Sequence, residues 1–160
     1  MQCSDVMKTD VESVLLTDSA QVAAMRMRVS NVGFLPVCDR SMRVLGTLTD
    51  RDLAMRVVAE DLPATTTVDQ LLTPDVVSCF PDDEIGEAER LMAEHQKSRV
   101  LCVGLDGRLV GVISLSDLAQ IDDGASAADT LRQVTVREAR GHRGPSDAGN
   151  HAEERDELRR

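Results

Sequence analysis

Two short stretches of the chain, GTLTDRDLA and GVISLSDLA, each place a hydroxyl three residues before a carboxylate at the end of an apolar run. Thr49 precedes Asp52 in the first stretch, and Ser114 precedes Asp117 in the second. This pattern is typical of a strand that leads into the first turn of a helix. A carboxylate there can accept hydrogen bonds from two neighbouring donors, and the free N–H groups of the helix start suit an anionic group. Each aspartate could also act only as a helix cap.

The recurrence of the phrase 65 residues later indicates a duplicated unit. Each copy reads strand, helix, strand, strand, helix, which predicts an α/β (α+β) fold of two βαββα repeats. The first copy is predicted to contain strands at 11–15, 34–38 and 44–49, a helix between Ser19 and Asn31, and a helix over 50–60. The second is predicted to contain strands at 76–79, 99–103 and 109–113, a helix capped by Asp82 and Asp83, and a helix over 115–121.

Segments with regularly spaced apolar residues alternate with polar segments, and this alternation predicts the domain organisation. The first repeat is assigned to residues 1–60, a linker to 61–66, the second repeat to 67–121, a C-terminal helix to 122–140 and a disordered tail to 141–160. Within the repeats, Pro36 is expected on a strand edge because proline donates no backbone hydrogen bond. We also infer that the second copy gains one residue before its hairpin, so that Cys102 takes the place of Pro36.

Composition excludes several classes of protein. The formal net charge is −10 and Trp and Tyr are absent, which opposes binding to a nucleic acid backbone and leaves an aliphatic core. The sequence contains no apolar run long enough for a membrane span and no signal peptide pattern, so a cytoplasmic location is expected. It also lacks the motifs of a catalytic centre, so we expect no enzyme.

Four cysteines are dispersed along the chain, at Cys3, Cys38, Cys79 and Cys102. None forms a CxxC pair, and the histidines add no metal-ligand spacing. The favoured interpretation is that they are small buried residues in a reducing compartment, with no metal bound. A disulfide or a metal site is the minor alternative.

The duplicated order and the closing phrase resemble a pair of cystathionine-β-synthase (CBS) domains, also called a Bateman module. The resemblance covers about residues 4–121 and includes the Leu-Pro-Val of the first hairpin and the Thr-Asp-Arg-Asp phrase. It implies two repeats packed with pseudo-two-fold symmetry, two clefts between them, and a homodimer. It also implies a regulatory adenosyl ligand, namely AMP, ADP, ATP or S-adenosylmethionine, and no required cofactor. The closing aspartate would then accept hydrogen bonds from the ribose hydroxyls, since one carboxylate can serve both donors.

The resemblance assigns residues to each cleft by position. One cleft would contain Thr49, Arg51, Asp52, Val76, Val77, Ser98 and Arg99. The other would contain Ser114, Ser116, Asp117, Val11, Val32 and Gly33, with Phe34 beside them. Because Arg51 and Arg99 both fall in the first cleft, we predict that this cleft prefers the more charged nucleotide, and that the second binds AMP-like or uncharged ligands or stays empty.

Three functions remain open from the sequence. The chain could be a regulatory sensor in which an adenosyl ligand changes the packing of the repeats and an unknown protein partner reads the change. It could be a structural dimerisation module without a ligand. It could also be a thiol-based switch that uses Cys38 and Cys102.

Overall fold

Two three-stranded sheets and the helices around them form the fold in the computed structural model, which describes residues 1–121 and 125–141. In the first repeat, β1 (Val14–Leu15), β2 (Phe34–Cys38) and β3 (Val44–Thr49) accompany α1 (Ala20–Ser30) and α2 (Asp50–Leu53), which continues as a π-helical turn (Ala54–Val58). In the second repeat, β4 (Ser78–Cys79), β5 (Arg99–Val103) and β6 (Leu109–Ser114) accompany α3 (Ile85–His95) and α4 (Leu115–Leu118). A C-terminal helix, α5 (Ala125–Gly141), follows.

The strand registers show that the two copies match without an insertion. β1 runs parallel to β2 with Val14 opposite Val37, and β4 runs parallel to β5 with Cys79 opposite Cys102. The antiparallel pairs β2–β3 and β5–β6 keep the same 65-residue offset throughout, including the irregularity near the end of each pair. The predicted one-residue gain is therefore wrong, and Cys102 corresponds to Val37 rather than to Pro36.

Pro36 lies in a central strand, because β2 is the middle strand of the first sheet. The prediction of an edge position is wrong for a local reason: β1 is two residues long and pairs only with Val37 and Cys38. In the second repeat, the N–H of Leu101 donates to the carbonyl of Val77 at 3.2 Å. Proline at the equivalent place in the first repeat cannot make this bond, and it is accommodated because β1 begins only at Val14, opposite the next residue, Val37.

The helix boundaries follow from their caps. The Ser19 hydroxyl accepts from the N–H of Val22 at 3.2 Å and begins α1, which ends at Asn31 in a left-handed conformation with φ 53°. The α3 helix begins after Glu84, and the predicted cap at Asp82 and Asp83 is wrong. The Asp83 carboxylate instead accepts from the N–H of Phe80 at 2.7 Å and closes the turn before the helix.

The predicted helices at the ends of the repeats are shorter or broken. The helix predicted over 50–60 is α-helical only to Leu53, and the helix predicted over 115–121 ends at Leu118. The helix predicted over 122–140 is found from Ala125 to Gly141. Apart from Gly141, the tail predicted over 141–160 lies outside the described residues, as do residues 122–124.

The two repeats exchange their first segments. Residues 2–8, the N-terminal exchange segment, lie on the second repeat, and residues 67–73, the linker exchange segment, lie on the first. Cys3 is fully buried in the core of the second repeat, and Val68 and Leu71 are buried in the core of the first. The predicted domain boundaries at residues 60 and 67 stay a prediction. Each core contains residues from both sides of these boundaries.

A glycine opens each repeated phrase because an exchange segment passes close to it. A Cβ atom on Gly111 would lie 2.9 Å from the carbonyl oxygen of Lys8 and 2.8 Å from the sulfur of Met7. A Cβ atom on Gly46 would lie 2.7 Å from the carbonyl oxygen of Thr73. Such distances are too short for any side chain, so glycine allows each exchange segment to pair with the strand beside it.

Candidate ligand-binding site

Each repeated phrase forms a capping box at a helix start. In the first, the Asp52 Oδ2 atom accepts from the Thr49 N–H at 2.9 Å and from the Thr49 hydroxyl at 2.8 Å. The Asp52 N–H donates back to the Thr49 hydroxyl at 3.1 Å. This reciprocal arrangement fixes the rotamer of the aspartate and occupies one of its two oxygens.

The second phrase repeats this geometry in a more buried setting. The Asp117 Oδ2 atom accepts from the Ser114 N–H at 2.9 Å and from the Ser114 hydroxyl, and the Asp117 N–H donates to the Ser114 hydroxyl at 3.3 Å. The hydroxyl of Ser116 lies 2.7 Å from that of Ser114. In both boxes only Oδ1 of the aspartate is left for another partner.

The partner of that second oxygen differs between the repeats. The Lys8 Nζ atom lies 2.7 Å from Asp117 Oδ1, whereas the Arg56 Nη2 atom lies 3.2 Å from Asp52 Oδ1. Arg56 also donates to the carbonyl of Leu71 and, at 3.0 Å, to the hydroxyl of Thr73. Asp52 is thus tied to its own helix and to the linker exchange segment, while Asp117 is paired with a lysine from the other end of the chain.

Asp117 is only 9% exposed. Burial opposes ionisation of its carboxyl, but the hydrogen bonds from Lys8 and Ser114 outweigh burial and lower its pKa below the usual value. The carboxylate is therefore charged at neutral pH, and its Oδ1 atom can accept from a ligand that shares it with Lys8 or displaces Lys8. A charged, preorganised acceptor of this kind can bind a pair of hydroxyl donors.

Asp117 borders a cavity of about 500 Å³, which we call the large cleft, and the first phrase borders one of about 120 Å³, the small cleft. The large cleft is lined by Lys8, Asp10, Val11, Glu12, Ser30, Asn31, Val32, Phe34, Arg99, Val112, Ser114, Ser116 and Asp117. The small cleft is lined by Phe34, Thr47, Thr49, Asp75, Val77, Lys97, Ser98, Arg99 and Leu101.

The structure brings most of the predicted residues of the large cleft together. Ser114, Ser116, Asp117, Val11 and Val32 all border it. Of the residues predicted for the other cleft, Thr49, Val77, Ser98 and Arg99 border the small cleft.

Four predicted site residues, Gly33, Arg51, Asp52 and Val76, are not among the described residues that line either cleft. The carbonyl of Gly33 accepts from the Asp50 N–H at 3.0 Å, and a Cβ atom there would meet the Asp50 carboxylate at 2.5 Å. Gly33 therefore lies against the start of α2. Asp52 is held by Arg56, as described above, and Arg51 is exposed on α2. The structure gives no specific reason for the position of Val76.

Two residues at equivalent positions, Phe34 and Arg99, border both clefts. Each begins the middle strand of its sheet, and the Arg99 guanidinium carbon lies 5.9 Å from the centre of the Phe34 ring. At this distance a cation–π attraction operates between them. They form a shared wall between the two clefts. The 65-residue offset between them is the sequence signal that could have indicated their equivalent positions.

The predicted charge difference between the clefts does not hold. Arg99 borders both clefts, and Lys8 adds a second cation to the large cleft. No sequence pattern indicated Lys8, since its place in the cleft depends on the exchange of the N-terminal segment. Asp10, Glu12, Ser30 and Asn31 were also missed.

Three of the four cysteines form one buried cluster. The Cys79 sulfur lies 3.7 Å from that of Cys3 and 3.6 Å from that of Cys102, whereas Cys38 is buried in the first sheet. All four are free thiols. Cys38 and Cys102, the two residues of the alternative thiol-based switch, belong to different sheets. Within the described residues, no group of three or more His, Cys, Asp or Glu side chains is arranged to hold a metal ion.

We expect these thiols to be unreactive in the folded protein. Burial raises the pKa of Cys38 to about 11 and that of Cys3 to about 12, and the hydrogen bond with Cys102 together with burial raises that of Cys79. Since the thiolate is the reactive form, Ellman's reagent at pH 8 should modify the native protein only as fast as it unfolds. The same protein in denaturant, where all four thiols should react at once, is the control. Rapid modification of the native protein would contradict this expectation and support the thiol-based switch.

The fold and site define a class: a paired-repeat module with a ligand-sized cleft between its halves. A family model, CBS domain, matches residues 3–59 and 68–124. The chain belongs to the CBS domain family. None of the helices within the described residues has the length and apolar character needed to cross a membrane.

Two relatives by sequence are proteins of similar length. The chain is 37% identical over 115 residues to the CBS domain-containing protein YhcV of Bacillus subtilis, covering 72% of this chain and 81% of that protein. It is 33% identical over 117 residues to Hypoxic response protein 1 of Mycobacterium tuberculosis, covering 72% and 81%.

Solved structures share the fold. A crystal structure of Hypoxic Response Protein I with two coordinated zinc ions has a TM-score of 0.70 at 31% identity, covering 76% of this chain and 99% of that one. The CBS domain pair of protein MJ0100, in complex with 5-methylthioadenosine and S-adenosylmethionine, has a TM-score of 0.69 at 21% identity, covering 78% and 97%.

Proposed function

We propose that this protein is a regulatory module that binds an adenosyl ligand in the large cleft. The observation that carries the proposal is the buried, charged Asp117 at a cavity of about 500 Å³. Cavities of about 300–1,000 Å³ are usual for small-molecule ligands. The small cleft, at about 120 Å³, is below that range, so of the two clefts beside the repeated phrases only the large one is expected to bind an adenosyl ligand.

The donors and acceptors of the large cleft match those of a nucleoside. The ribose diol offers two O–H donors to the carboxylate of Asp117, and the hydroxyl of Ser116 adds a polar contact beside it. Val11 and Val32 provide apolar surface for an adenine ring, and Phe34 adds a ring edge or face. The MJ0100 domain pair, which holds adenosyl ligands, supports the same ligand class.

A regulatory role is supported by the composite nature of the cleft. Val11 and Val32 come from the first repeat, Asp117 from the second, and Lys8 from the N-terminal exchange segment. A ligand that contacts all three favours one packing of the repeats over another, which is the requirement for signalling to a protein partner. We propose no catalytic activity and no binding to membrane or nucleic acid. A cytoplasmic location is supported by the four free thiols.

A thermal-shift panel tests the proposal. The panel contains AMP, ADP, ATP, S-adenosylmethionine and GTP as a control. A ligand at about 100 times its Kd adds about 2.7 kcal/mol to the free energy of unfolding, which raises Tm by roughly 5–10 °C. We expect such a rise with at least one adenosyl ligand and none with GTP. No rise with any of them would contradict the proposal and favour a structural module without a ligand.

We further propose that two chains form a homodimer through the helices of the first repeat. In the second repeat, α5 packs on α3 and α4, with Ala127 buried and the Ser126 hydroxyl donating to Glu89 at 2.6 Å. Among the described residues, the first repeat has no counterpart of α5. Its helices expose Val29 at 79% and Val58 at 78%, and also Met25, four residues before Val29, and Met55, three residues before Val58. The repeat symmetry thus predicts a second copy on this face.

Light scattering on Val58→Glu tests the dimer. We expect the wild-type chain to have the molar mass of two chains, and Val58→Glu to have that of one, because a charge in an apolar interface loses its hydration. Leu105→Glu is the control, since Leu105 is an exposed turn residue of the second repeat. A monomeric wild-type protein, or equal effects of the two substitutions, would contradict this interface.

A further inference from the structure

We infer that Lys8 makes the large cleft selective for adenosyl ligands that carry a phosphate over those that carry a positive charge. This inference rests on the proposed function of the same cleft. It concerns a residue of the N-terminal exchange segment that lies outside both repeated phrases.

The backbone of Lys8 is fixed while its side chain is free to move. The Lys8 N–H donates to the Val112 carbonyl at 2.9 Å, and the Val112 N–H donates to the Lys8 carbonyl at 3.0 Å. Gly111 leaves the room that this pairing needs. The side chain is 69% exposed, although its Nζ atom lies 2.7 Å from Asp117. Lys8 is therefore always at the cleft, and its ammonium can change partners without unfolding the segment.

The Asp117 carboxylate has little acceptor capacity left for a ligand. Its Oδ2 atom already accepts two hydrogen bonds from Ser114, and its Oδ1 atom faces the Lys8 ammonium. A ligand hydroxyl must therefore share Oδ1 with Lys8 or displace it. A salt bridge with one exposed partner is weak, so displacement is feasible.

A displaced ammonium needs a new anion. Asp10 and Glu12 line the same cleft, but both are exposed, and Glu12 already lies 3.6 Å from Arg26. A phosphate on the ligand can pair with Lys8, and Arg99 borders the cleft as a second cation. The sulfonium of S-adenosylmethionine is attached at the same 5′ carbon as the phosphate of AMP. It would meet Lys8 and Arg99 there, with only the exposed Asp10 and Glu12 to offset them. When the ribose diol displaces Lys8 from Asp117, the Lys8 ammonium therefore favours a ligand that carries a phosphate.

Isothermal titration with AMP and with S-adenosylmethionine tests the inference. We expect wild type to bind AMP at least about tenfold more tightly than S-adenosylmethionine, which corresponds to the strength of one charge-assisted hydrogen bond. Lys8→Met should reduce that ratio to about one, and Lys8→Arg should retain it. The matched control is Lys97→Met, which removes the only other lysine of the chain, one that lines the small cleft, and should leave the ratio unchanged.

The outcomes separate this inference from the proposed function. If wild type binds neither ligand, both are overturned. If wild type binds AMP but Lys8→Met keeps the wild-type ratio, the role of Lys8 is overturned and the proposed function stands. If Lys97→Met changes the ratio as much as Lys8→Met does, the selectivity is a general effect of charge and the assignment to Lys8 is wrong. The Tm of each variant verifies folding, and Lys8→Gln replaces Lys8→Met if the latter is destabilised.

Discussion

Asp117→Ala is expected to weaken binding of an adenosyl ligand at least about 100-fold, whereas Asp52→Ala should leave it within about threefold. Hydrogen bonds to a charged group contribute about 1.5–3 kcal/mol each, and the ribose diol makes two of them, so their loss reaches or exceeds 100-fold. Asp52 occupies the equivalent place in sequence, but Arg56 holds its free oxygen and it does not line the large cleft. The measurement is the Kd of AMP by isothermal titration for both variants.

Asp117→Asn tests whether Asp117→Ala loses binding only because that variant unfolds. The amide is nearly the same shape as the carboxylate and can still cap the helix, so the variant should fold. It lacks the negative charge, so it should also bind weakly. Equal losses for Asp52→Ala and Asp117→Ala, or a larger loss for Asp52→Ala, would contradict the assignment of the ligand to the large cleft.

Leu71→Ala is expected to lower the free energy of unfolding by about 2–5 kcal/mol. Leu71 belongs by sequence to the start of the second repeat, but it is 1% exposed and lies in the core of the first. Its truncation leaves a cavity in the buried cluster that also contains Leu35 and Leu48. Domains of this kind are stable by about 5–15 kcal/mol, so the loss is a large part of the total. Denaturant titration provides the measurement.

The control for this prediction is Leu62→Ala. Leu62 precedes the linker exchange segment and is 42% exposed, so its truncation should cost about 0.5 kcal/mol or less. A cost for Leu71→Ala no greater than that for Leu62→Ala would mean that the linker exchange segment does not complete the core of the first repeat.

The repeated order and the closing phrases could be predicted because they depend on local patterns. The strands at 34–38 and 99–103 have the predicted bounds, and each hydroxyl and aspartate forms the predicted helix start. Local hydrogen bonding and alternation of apolar residues determine these features. Proline in a central strand was not predicted, because the length of the neighbouring strand is a property of the sheet rather than of β2.

The exchange of segments could not be predicted from pattern alone. Residues 2–8 and 67–73 are short and form single 3₁₀ turns, Cys3–Asp5 and Val68–Gln70, which have no strong periodicity. Both repeats have a glycine on the strand that faces the exchange segment, so this pattern does not indicate which segment docks on which repeat. Because Lys8 reaches the large cleft only through this docking, its contact with Asp117 was missed as well.

One asymmetry between the clefts was readable in the sequence. Arg56 follows Asp52 by four residues, the spacing of an ion pair on one helix face, whereas Ile121 stands at the equivalent place after Asp117. The sequence interpretation assigned both aspartates to the ribose hydroxyls and based the difference between the clefts on Arg51 and Arg99 instead. The structure separates them, because one aspartate is satisfied within its own repeat and the other is paired with an exposed lysine.

The most direct test of the central claim is the stoichiometry of AMP binding to the wild-type chain by isothermal titration. The large cleft alone has the volume and the available carboxylate for a nucleotide among the cavities described above, so the account predicts one AMP per chain. Two equivalent sites per chain, or no binding at millimolar AMP, would contradict it.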